Sequence, residues 1–574
     1  MSTPPQGRAN RSRDVSQPVE RLHDIERLKA GSNYLRGSIA QGLVDPLTWA
    51  IDENDNKLLK FFGIYLQDDR DLRDERRRQK LEPAWQFMVR LRLPGGLLTP
   101  RQWLQLDALA HSHGNAALRI TDRQTFQFHG VVKPKLKPLI QGFREVGLDT
   151  IAACGDDSRG VMAAPAPHRS HIHREVHELA AAVSAHLRPR TSAYREIWYD
   201  ERPTGPDHEP LYGPTYLPRK FKIGFAVPPA NDIDVYAQDL GFIAIIESGR
   251  LAGFNVTVGG GMGRTDNAPH TYPRLGDVIG FVTPAEVLAV AEHTMTIQRD
   301  YGDRVDRHQA RFKYTLDERG LEWFVAELQQ RAGFRLQPVR PYRFERNTDE
   351  FGWVQGDDGA WHFTLFIRNG RIRDLGPVRL MSALRAIAAT HRGEFRLTPN
   401  QNVVIARVAA ADRERIGALL AGHGVVQETS LLQRNAVSCV ALPTCGLAMA
   451  ESERYLPDLV VRIEALMREA GVADQPVTIR MSGCPNGCSR PYIAEIGFTG
   501  RAPGKYNMYL GGGAHGQRLN RMYLENAGED RILAALAEMF RRYAAERLAG
   551  EPFGDFVVRA AIVREVRTGR DFNG

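Results

Sequence analysis

Residues 118–124 read LRITDRQ and residues 395–401 read FRLTPNQ, so that a hydrophobic residue, Arg, a second hydrophobic residue, Thr and Gln recur in the same order. Upstream of these segments, WQFMVRLRLPGG from Trp85 matches WHFTLFIRNGRI from Trp361. Apolar and polar residues alternate in these segments, which predicts strands. A match at this separation indicates that the chain contains an internal duplication.

Two further pairs of segments extend the duplication. Residues 102–110 (QWLQLDALA) and 379–388 (RLMSALRAIA) carry apolar residues at helical spacing, so each copy is predicted to contain a helix between its strands. Further along, residues 253–261 (GFNVTVGGG) and 505–513 (KYNMYLGGG) share an Asn and a Gly triplet. The two copies therefore correspond over most of their length.

The copies differ where one of them carries cysteines. FKIGFAVPPAND at 221–232 aligns with VTIRMSGCPNGC at 477–488, which sets two cysteines against Pro228 and Asp232. Only the second copy is therefore equipped to bind a metal, and one metal centre is expected.

The predicted fold is an α/β chain with pseudo-twofold duplication, in which a smaller strand–helix–strand unit precedes a larger α/β unit in each copy. A chain of 574 residues is too long for one ordinary core, which agrees with several units. The predicted units are an N-terminal arm followed by alternating small and large units, with the boundaries 1–80, 81–165, 166–344, 345–427 and 428–574.

Composition excludes several classes of protein. Hydrophobic residues make up 43% and charged residues 25% of the chain, as in an ordinary globular protein. No run approaches the roughly 18 apolar residues of a membrane helix, and the first 20 residues lack the apolar core of an export signal. The net charge of +8 is mild, and the densest charged run, 68–80, mixes both signs. We expect a cytoplasmic protein that binds neither membranes nor nucleic acid.

Four of the five cysteines fall between positions 439 and 488, as C-x5-C (438–445, SCVALPTC) and C-x3-C (483–488, GCPNGC). Thiolates are soft ligands, so four of them suit an iron–sulfur cluster or zinc, and spacing alone does not choose between the two. Structural zinc usually uses cysteines about 2–4 residues apart, which the first pair fits poorly. Cys154 stands alone and is interpreted as an ordinary, partly buried thiol.

The sequence after the first cysteine pair predicts helices. Residues 446–471 are interpreted as a helix, a break at Pro457 and a second helix that ends at Gly471, a favoured C-terminal residue. The first cysteine pair would then lie at a helix N-terminus, which stabilises negative charge on bound thiolates.

These motifs carry a specific resemblance. The two cysteine pairs, ITDRQTFQFHG at 120–130 and YLPRKFK at 216–222 resemble the siroheme-containing sulfite and nitrite reductase hemoproteins, and the likeness runs from SNYLRG at 32–37 to FGDFVVRAAIV at 553–563. It implies that the two smaller units are ferredoxin-like half-domains. It also implies a 4Fe-4S cluster held by Cys439, Cys445, Cys484 and Cys488, with Cys488 also serving as axial ligand of siroheme.

The resemblance assigns further residues to the site. Siroheme carries many carboxylates, which charge-assisted hydrogen bonds hold best. The residues expected to line the siroheme are Arg119, Thr121, Arg123, Gln127 and His129. The residues expected to bind the anionic substrate are Arg90, Arg159, Lys220 and Lys222. Asp156 and Asp157 would oppose an anion, so they are predicted to point outward.

The implied activity is the six-electron reduction of sulfite to sulfide, with electrons from NADPH through a flavoprotein subunit. A nitrite reductase is the alternative, but the resemblance places Asn in nitrite reductases where Lys222 stands here. A structural zinc protein is the alternative outside the enzymes. GGGAHG at 511–516 fits a dinucleotide-binding pattern, yet no complete strand–turn–helix unit follows it, so NADPH is expected to bind a partner. Ferredoxin as electron donor stays open.

Overall fold

A computed structural model describes residues 21–202, 205–426 and 428–573 of the chain. Residues 1–20, which begin the predicted arm and were considered as a targeting signal, lie outside the described residues. In the described ranges, no helix is both long and apolar enough to span a lipid bilayer.

Helices and strands alternate along the chain. The elements of the arm and first copy are α1 Asp24–Gly31, α2 Ile39–Val44, α3 Glu53–Leu59, β1 Ile64–Asp68, α4 Arg73–Arg78, β2 Trp85–Arg90, β3 Leu97–Leu98, α5 Pro100–His113, β4 Leu118–Ile120, β5 Phe126–Val131, α6 Lys133–Arg144, β6 Met162–Ala163, α7 Ser170–His186, α8 Ala193–Tyr199, β7 Ile223–Ala226, β8 Leu240–Glu247, β9 Arg250–Val258, β10 Asp277–Val282, α9 Val287–Tyr301, α10 Phe312–Arg319 and α11 Leu321–Ala332.

The second copy repeats this pattern. Its elements are β11 Gly352–Gln355, β12 Trp361–Leu365, β13 Arg371–Ile372, β14 Asp374–Leu375, β15 Val378–Arg379, α12 Leu380–Thr390, β16 Glu394–Leu397, β17 Val403–Val408, α13 Arg413–Gly422, α14 Leu431–Arg434, β18 Ala436–Ser438, α15 Leu456–Glu469, β19 Ile479–Ser482, β20 Ile496–Ala502, β21 Lys505–Leu510, β22 Arg521–Ala527, α16 Glu529–Glu546 and α17 Phe553–Arg559.

The two larger sheets have the same topology, which confirms the predicted duplication and α/β class. One has the order β10-β9-β8-β7-β6 and the other β22-β21-β20-β19-β18. In each sheet the first three strands of the chain are parallel and the last two are antiparallel. β7 and β19, the strands before the aligned proline and cysteine turns, occupy equivalent positions.

The two smaller sheets exchange strands. β3 of the first copy pairs with β16, and β13 of the second copy pairs with β4, so the orders are β1-β2-β5-β4-β13 and β11-β12-β17-β16-β3. Each short strand satisfies the edge of the other copy's sheet, which would otherwise present unpaired backbone groups. The two copies are therefore joined by backbone hydrogen bonds, and one continuous hydrophobic core runs beneath both small sheets.

The local predictions are mostly confirmed. The segments that begin at Trp85 and Trp361 start with strands, and α5 and α12 cover the predicted helices. The segments 118–124 and 395–401 are strands only in their first half, because a turn with positive φ at Gln124 and Gln401 follows. The Gln124 side chain donates to the Leu397 carbonyl at 2.9 Å, so this conserved feature of the repeat joins the copies.

A buried ion cluster lies between the larger units. The carboxylate of Asp234, fully buried in the first copy, accepts hydrogen bonds from Arg480 and Arg490 of the second. Arg490 also pairs with Asp122 at 2.7 Å. Because each charge in this cluster is removed from water, it depends on its partners for compensation.

Asp234→Asn should destabilise the protein strongly, because two buried guanidinium groups then lose their shared charge partner. Breaking a buried pair in this way costs about 3–5 kcal/mol in free energy of unfolding. Urea denaturation followed by circular dichroism would measure this loss. Glu538→Gln, which breaks an exposed pair with Arg541, is the matched control and should change stability by less than about 0.5 kcal/mol. Equal effects of the two changes would contradict a supporting role for Asp234.

Candidate metal centre and anion site

The four clustered cysteines meet at one edge of the second large sheet. Cys439 directly follows β18, while Cys484 and Cys488 follow β19. These strands are parallel neighbours, so their carboxyl ends coincide. All four cysteines are free of disulfides. The topology thus brings together the residues that the sequence predicts as metal ligands.

Burial disfavours the thiolate forms of the cysteines unless a positively charged centre binds to them. Burial, reinforced by the neighbouring Cys488, raises the pKa of Cys439 and raises that of Cys484 to about 12. Backbone and amide groups already point at the sulfurs, since the Gly483 N–H donates to Cys439 Sγ at 3.2 Å. Buried thiols of this kind become thiolates when a metal compensates their charge.

The spacing of the sulfurs argues against a single zinc ion. Zn–S bonds of about 2.3 Å place tetrahedral sulfurs about 3.8 Å apart. Among the described residues, no three of the cysteine sulfurs lie within 4.8 Å of one another. A multinuclear iron–sulfur cluster is held by four cysteine thiolates and is larger than one metal ion, so it suits this donor set.

The predicted helix after the first cysteine pair is wrong. Residues 446–455 form turns and bends, and α15 begins at Leu456 with Pro457 in its first turn. A proline suits a first turn because its missing N–H has no helical partner there. Arg70 of the arm supplies positive charge instead, donating to the carbonyls of Cys445 at 3.3 Å and Ala448 at 2.7 Å. No pattern in the sequence pointed to Arg70, because its contact joins distant parts of the chain.

A row of polar residues on the first small sheet faces the cysteine edge. Strand register sets Arg90 beside Gln127, and Gln127 beside Arg119. Arg119 donates to the carbonyl of Ser438, next to Cys439, at 2.9 Å. The face that carries these residues therefore looks across the boundary between the copies towards the cysteines.

Several buried donors in this region have no hydrogen-bond partner within the described chain. They are Arg90 Nε, His129 Nε2, Arg264 Nε, and Arg311 Nε and Nη2. An unpaired buried donor is costly, so such a set is suited to an acceptor-rich ligand. The carboxylates of siroheme fit this requirement, and the residues present therefore fit that cofactor.

Arg264 and Arg311 are two further candidates for cofactor binding, in addition to those predicted from the sequence. The backbone N–H of Arg264 donates to the Pro485 carbonyl in the cysteine turn at 3.3 Å. The repeated Gly triplet at 259–261 was the available signal for Arg264, whereas no pattern pointed to Arg311. Gly263 lies so close to this turn that an added Cβ would be 3.4 Å from the Asn486 carbonyl oxygen.

Two predicted cofactor residues already have protein partners. Arg119 shares the carboxylate of Glu453 with Arg371, at 2.9 and 2.7 Å. Burial opposes ionisation of Glu453, but the two guanidinium groups outweigh it and hold its pKa at about 2. Arg123 donates to Gln238 at 2.9 Å and to the Gly160 carbonyl at 2.8 Å. Both are therefore held firmly in place at the cofactor side.

Thr121 closes the turn between β4 and β5. Its backbone N–H donates to the Thr125 carbonyl at 2.8 Å, and its hydroxyl accepts from the backbone N–H of Arg123 at 3.2 Å. The hydroxyl thus shapes the turn from which Arg123 extends.

The four predicted anion-binding residues gather positive charge that nearby carboxyl groups offset only in part, the nearest being Asp157 at 3.7 Å from Arg159. Phe221 is fully buried, so Lys220 and Lys222 project from the opposite side of the chain. Burial and then the neighbouring Arg123 and Arg311 lower the pKa of Lys222 to about 7. Burial and four cationic neighbours, with Arg219 the largest, lower the pKa of Lys220. A bound anion would relieve this repulsion.

Arg159 and Arg90 complete the group. Arg159 is held by the Gly155 carbonyl at 2.8 Å. Arg90 donates from Nη1 to the sulfur of Cys154 at 2.9 Å. Cys154 is fully buried rather than partly buried, so the sequence interpretation underestimated it. Its thiol orients a residue of the anion site.

The prediction for Asp156 and Asp157 is wrong, because both side chains are buried. Asp156 pairs with Arg307 at 2.9 Å and lies 3.6 Å from Arg219. Burial raises the pKa of Asp157 well above its ordinary value, which favours the neutral acid. Asp156 is thus paired with arginines outside the predicted anion-binding group, whereas Asp157 lies 3.7 Å from Arg159 and offsets part of its charge when ionised.

A second cavity lies where the proline turn of the first copy meets the second small sheet, and it is lined by acidic and hydroxyl side chains together with Arg346. Among its lining residues are Asp232, Asp349, Thr364 and Thr398. Burial and then Asp349 raise the pKa of Asp232 to about 8. In the alignment of the copies, Pro228 and Asp232 stand where the second copy has Cys484 and Cys488, so this cavity lacks the thiol ligands of a metal centre. The structure therefore supports one centre, as the sequence predicts.

Comparison with known proteins identifies the repeated units. The family model for the nitrite/sulfite reductase ferredoxin-like half domain matches residues 80–146 and again 354–423. The model for the nitrite and sulphite reductase 4Fe-4S domain matches residues 180–336. That match falls on the first large unit, which carries none of the clustered cysteines.

Similar proteins span almost the whole chain. Those named sulfite reductase (NADPH) hemoprotein beta-component include relatives from Bordetella petrii, 61% identical over 98% of this chain and 97% of that protein, and Nitrobacter hamburgensis, 60% identical over 98% and 99%. The relative from Shouchella clausii is 56% identical over 96% and 97%. The solved Mycobacterium tuberculosis NirA protein matches with a TM-score of 0.75 at 23% identity, covering 96% of this chain and 99% of that one, which shows a shared fold.

Lys222→Met should stabilise the protein at low pH, because the charged form of Lys222 opposes folding. Its folded pKa of about 7 lies below the unfolded value, so the penalty is complete below pH 7 and disappears as pH rises towards the unfolded pKa. Thermal unfolding at pH 6 and pH 9 should show a gain that is larger at pH 6. Lys57→Met, at the surface, should give no gain at either pH. A loss of stability at pH 6 in the Lys222 variant would count against an uncompensated charge.

Cys488→Ser should lower iron and acid-labile sulfide content and change the visible absorption, because one thiolate of the proposed ligand set is removed. Cys154→Ser should keep the iron content of the unchanged protein, since its sulfur contacts Arg90 rather than the cysteine edge. Metal analysis of the purified variants makes the comparison. Iron loss in the Cys154 variant, or zinc in place of iron in the unchanged protein, would refute the ligand assignment.

Proposed function

The chain belongs to the nitrite and sulfite reductase family, and from this membership we propose that it reduces sulfite to sulfide as the hemoprotein component of an NADPH-dependent sulfite reductase. Its cofactors are siroheme and a 4Fe-4S cluster. The observation that carries the proposal is the group of buried cations that faces a four-thiol edge across the boundary between the copies.

The proposed ligands of the cluster are Cys439, Cys445, Cys484 and Cys488, with Cys488 shared with siroheme. Cys488 is the exposed member of the set and lies close enough to Arg90 to influence its pKa. When bound, the coupled cofactors supply low-potential electrons and an iron that accepts the substrate. The proposed division of the chain at 80, 165, 344 and 427 assigns these cysteines to the last segment and the cations to the first copy.

The cations bind the oxyanion and supply protons. Sulfite is small and negatively charged, so Arg90, Arg159 and the two lysines attract it and orient its oxygens. Each sulfur–oxygen bond that breaks releases an oxygen that must be protonated to leave as water. A lysine whose pKa is near 7 is well matched to donate a proton at neutral pH, which suits Lys222 to this role.

Siroheme would be held mainly by the first copy. The residues proposed to line the face that looks towards the cysteines are Arg119, Thr121, Arg123, Gln127 and His129. We add Arg264 and Arg311, because Nε of each is buried without a hydrogen-bond partner among the described residues. Glu453 acts through Arg119 and Arg371, which it keeps in place. These residues would supply positive charge and orient the cofactor, while the cofactor supplies the redox chemistry.

Electrons are proposed to arrive from NADPH through a flavoprotein subunit. The relatives are named as beta-components of NADPH enzymes, which implies a further component. The segment 511–516 leads from β21 through a loop to the antiparallel strand β22, so it does not form the strand–turn–helix unit that binds dinucleotides. The cytoplasm is the proposed location, because unpaired cysteines and NADPH both suit a reducing compartment.

Sulfite should be preferred over nitrite, with a higher kcat/KM when reduced methyl viologen is the electron donor. Lys222→Asn should lower kcat/KM for sulfite by about ten to a hundredfold, as expected for one lost charged hydrogen bond. It should also shift the ratio of sulfite to nitrite activity towards nitrite. Lys57→Asn is the surface control and should keep both values.

The same assay tests the electron route. NADPH should support sulfide formation only when the flavoprotein subunit is added. Higher specificity for nitrite in the unchanged protein would overturn the assignment of substrate, and NADPH oxidation by this chain alone would overturn the need for a partner.

A further inference from the structure

Two histidines and an aspartate form a cluster outside the site described above. His270, Asp306 and His308 each offer a ligand atom, and these atoms all lie within 4.8 Å of one another. The two histidines are exposed and Asp306 is half-buried, so ions in solution can reach the cluster. We propose that it binds a divalent transition metal of the Zn²⁺ class.

The donor set selects this class of metal. Neutral imidazole suits Zn²⁺, Co²⁺, Ni²⁺ and Cu²⁺, whereas Mg²⁺ and Ca²⁺ require oxygen ligands. Two imidazoles and one carboxylate leave at least one coordination position for water in a tetrahedral site. The site would therefore bind a metal that exchanges with solution, unlike a closed structural site with four protein ligands.

The positions of the ligands are already restrained. The His308 backbone N–H donates to Asp306 Oδ1 at 2.9 Å, which fixes this pair in one turn. The rings of His270 and His308 meet edge to face with centroids 5.8 Å apart. Gln309 Nε2 donates to the His270 carbonyl at 3.3 Å and joins the two loops directly. Binding a metal would consequently require little rearrangement of the backbone.

The metal would join two loops that reach the anion site. His270 lies in the loop between β9 and β10, where the Arg264 N–H contacts the cysteine turn. His308 lies in the loop between α9 and α10, next to Arg307, which pairs with Asp156. Arg311, whose Nη2 lies 3.5 Å from Asp239, ends the same loop. A metal here would hold both loops together, and this inference stands independently of the proposed function.

Calorimetric titration with ZnCl2 tests the site, using holoenzyme that keeps its siroheme and iron–sulfur cluster and has been dialysed to remove loosely bound divalent ions. We expect one site of defined stoichiometry in the unchanged protein, weakened at least tenfold in the double variant His270→Ala/His308→Ala. His208→Ala removes an exposed histidine beside Asp207 and should bind as the unchanged protein does. MgCl2 should give no saturable heat. Undiminished Zn²⁺ binding in the double variant, or equal binding of Mg²⁺, would overturn the proposal.

A second variant distinguishes the loss of a metal ligand from misfolding of the double variant. Asp306→Asn keeps an oxygen that can accept the His308 N–H but removes the charge, and it should weaken Zn²⁺ binding as well. The visible spectrum of the bound cofactors reports whether each variant is intact. Hydrogen exchange should slow in residues 261–274 and 302–311 when Zn²⁺ is added to the unchanged protein. Zn²⁺-dependent protection elsewhere, without change in these loops, would refute the joining of the two loops.

Discussion

The carboxylate of Asp234 holds the two copies of this chain in the arrangement on which the site depends. It is buried, and it binds Arg480 of strand β19 and Arg490 just beyond the second cysteine pair. Arg490 also binds Asp122 in the turn of the first repeat. One buried charge thus ties the cysteine turn to the strand that precedes it and to the opposite copy. This contact therefore links the segment that carries Cys484 and Cys488 to the first copy.

The two copies share one fold but carry different functional residues. Both larger sheets have the same topology, and both smaller sheets borrow a strand from the other copy. The first copy's sheet carries arginines towards the cysteine turn. The second cavity carries Asp232 and Asp349 instead. Because only one of the two related sites combines basic residues with the clustered cysteines, a nearly symmetric fold holds a single asymmetric centre.

Stability and function oppose one another at the anion site. Burial and mutual repulsion lower the pKa of Lys220 and Lys222, which means that the charged forms are unfavourable in the folded chain. Sites that violate the usual rule of paired buried charges are commonly functional. Here the buried lysines lie where negatively charged ligands are proposed to bind. Binding of substrate and cofactor would therefore offset the unfavourable free energy of the charged lysines in the folded protein.

The sequence by itself determined the duplication, the α/β class and the identity of the clustered cysteines, because spacing and alternation are properties of the chain. It also indicated the basic residues through family resemblance. It did not reveal Arg70, Arg311 or Glu453, nor the contact between Cys154 and Arg90, because these residues meet partners far away in sequence. It also misplaced a helix after Cys445 and directed Asp156 and Asp157 outward. Only the tertiary structure decided which charges are buried together, since burial, and the pKa shifts that follow from it, depend on packing between distant segments.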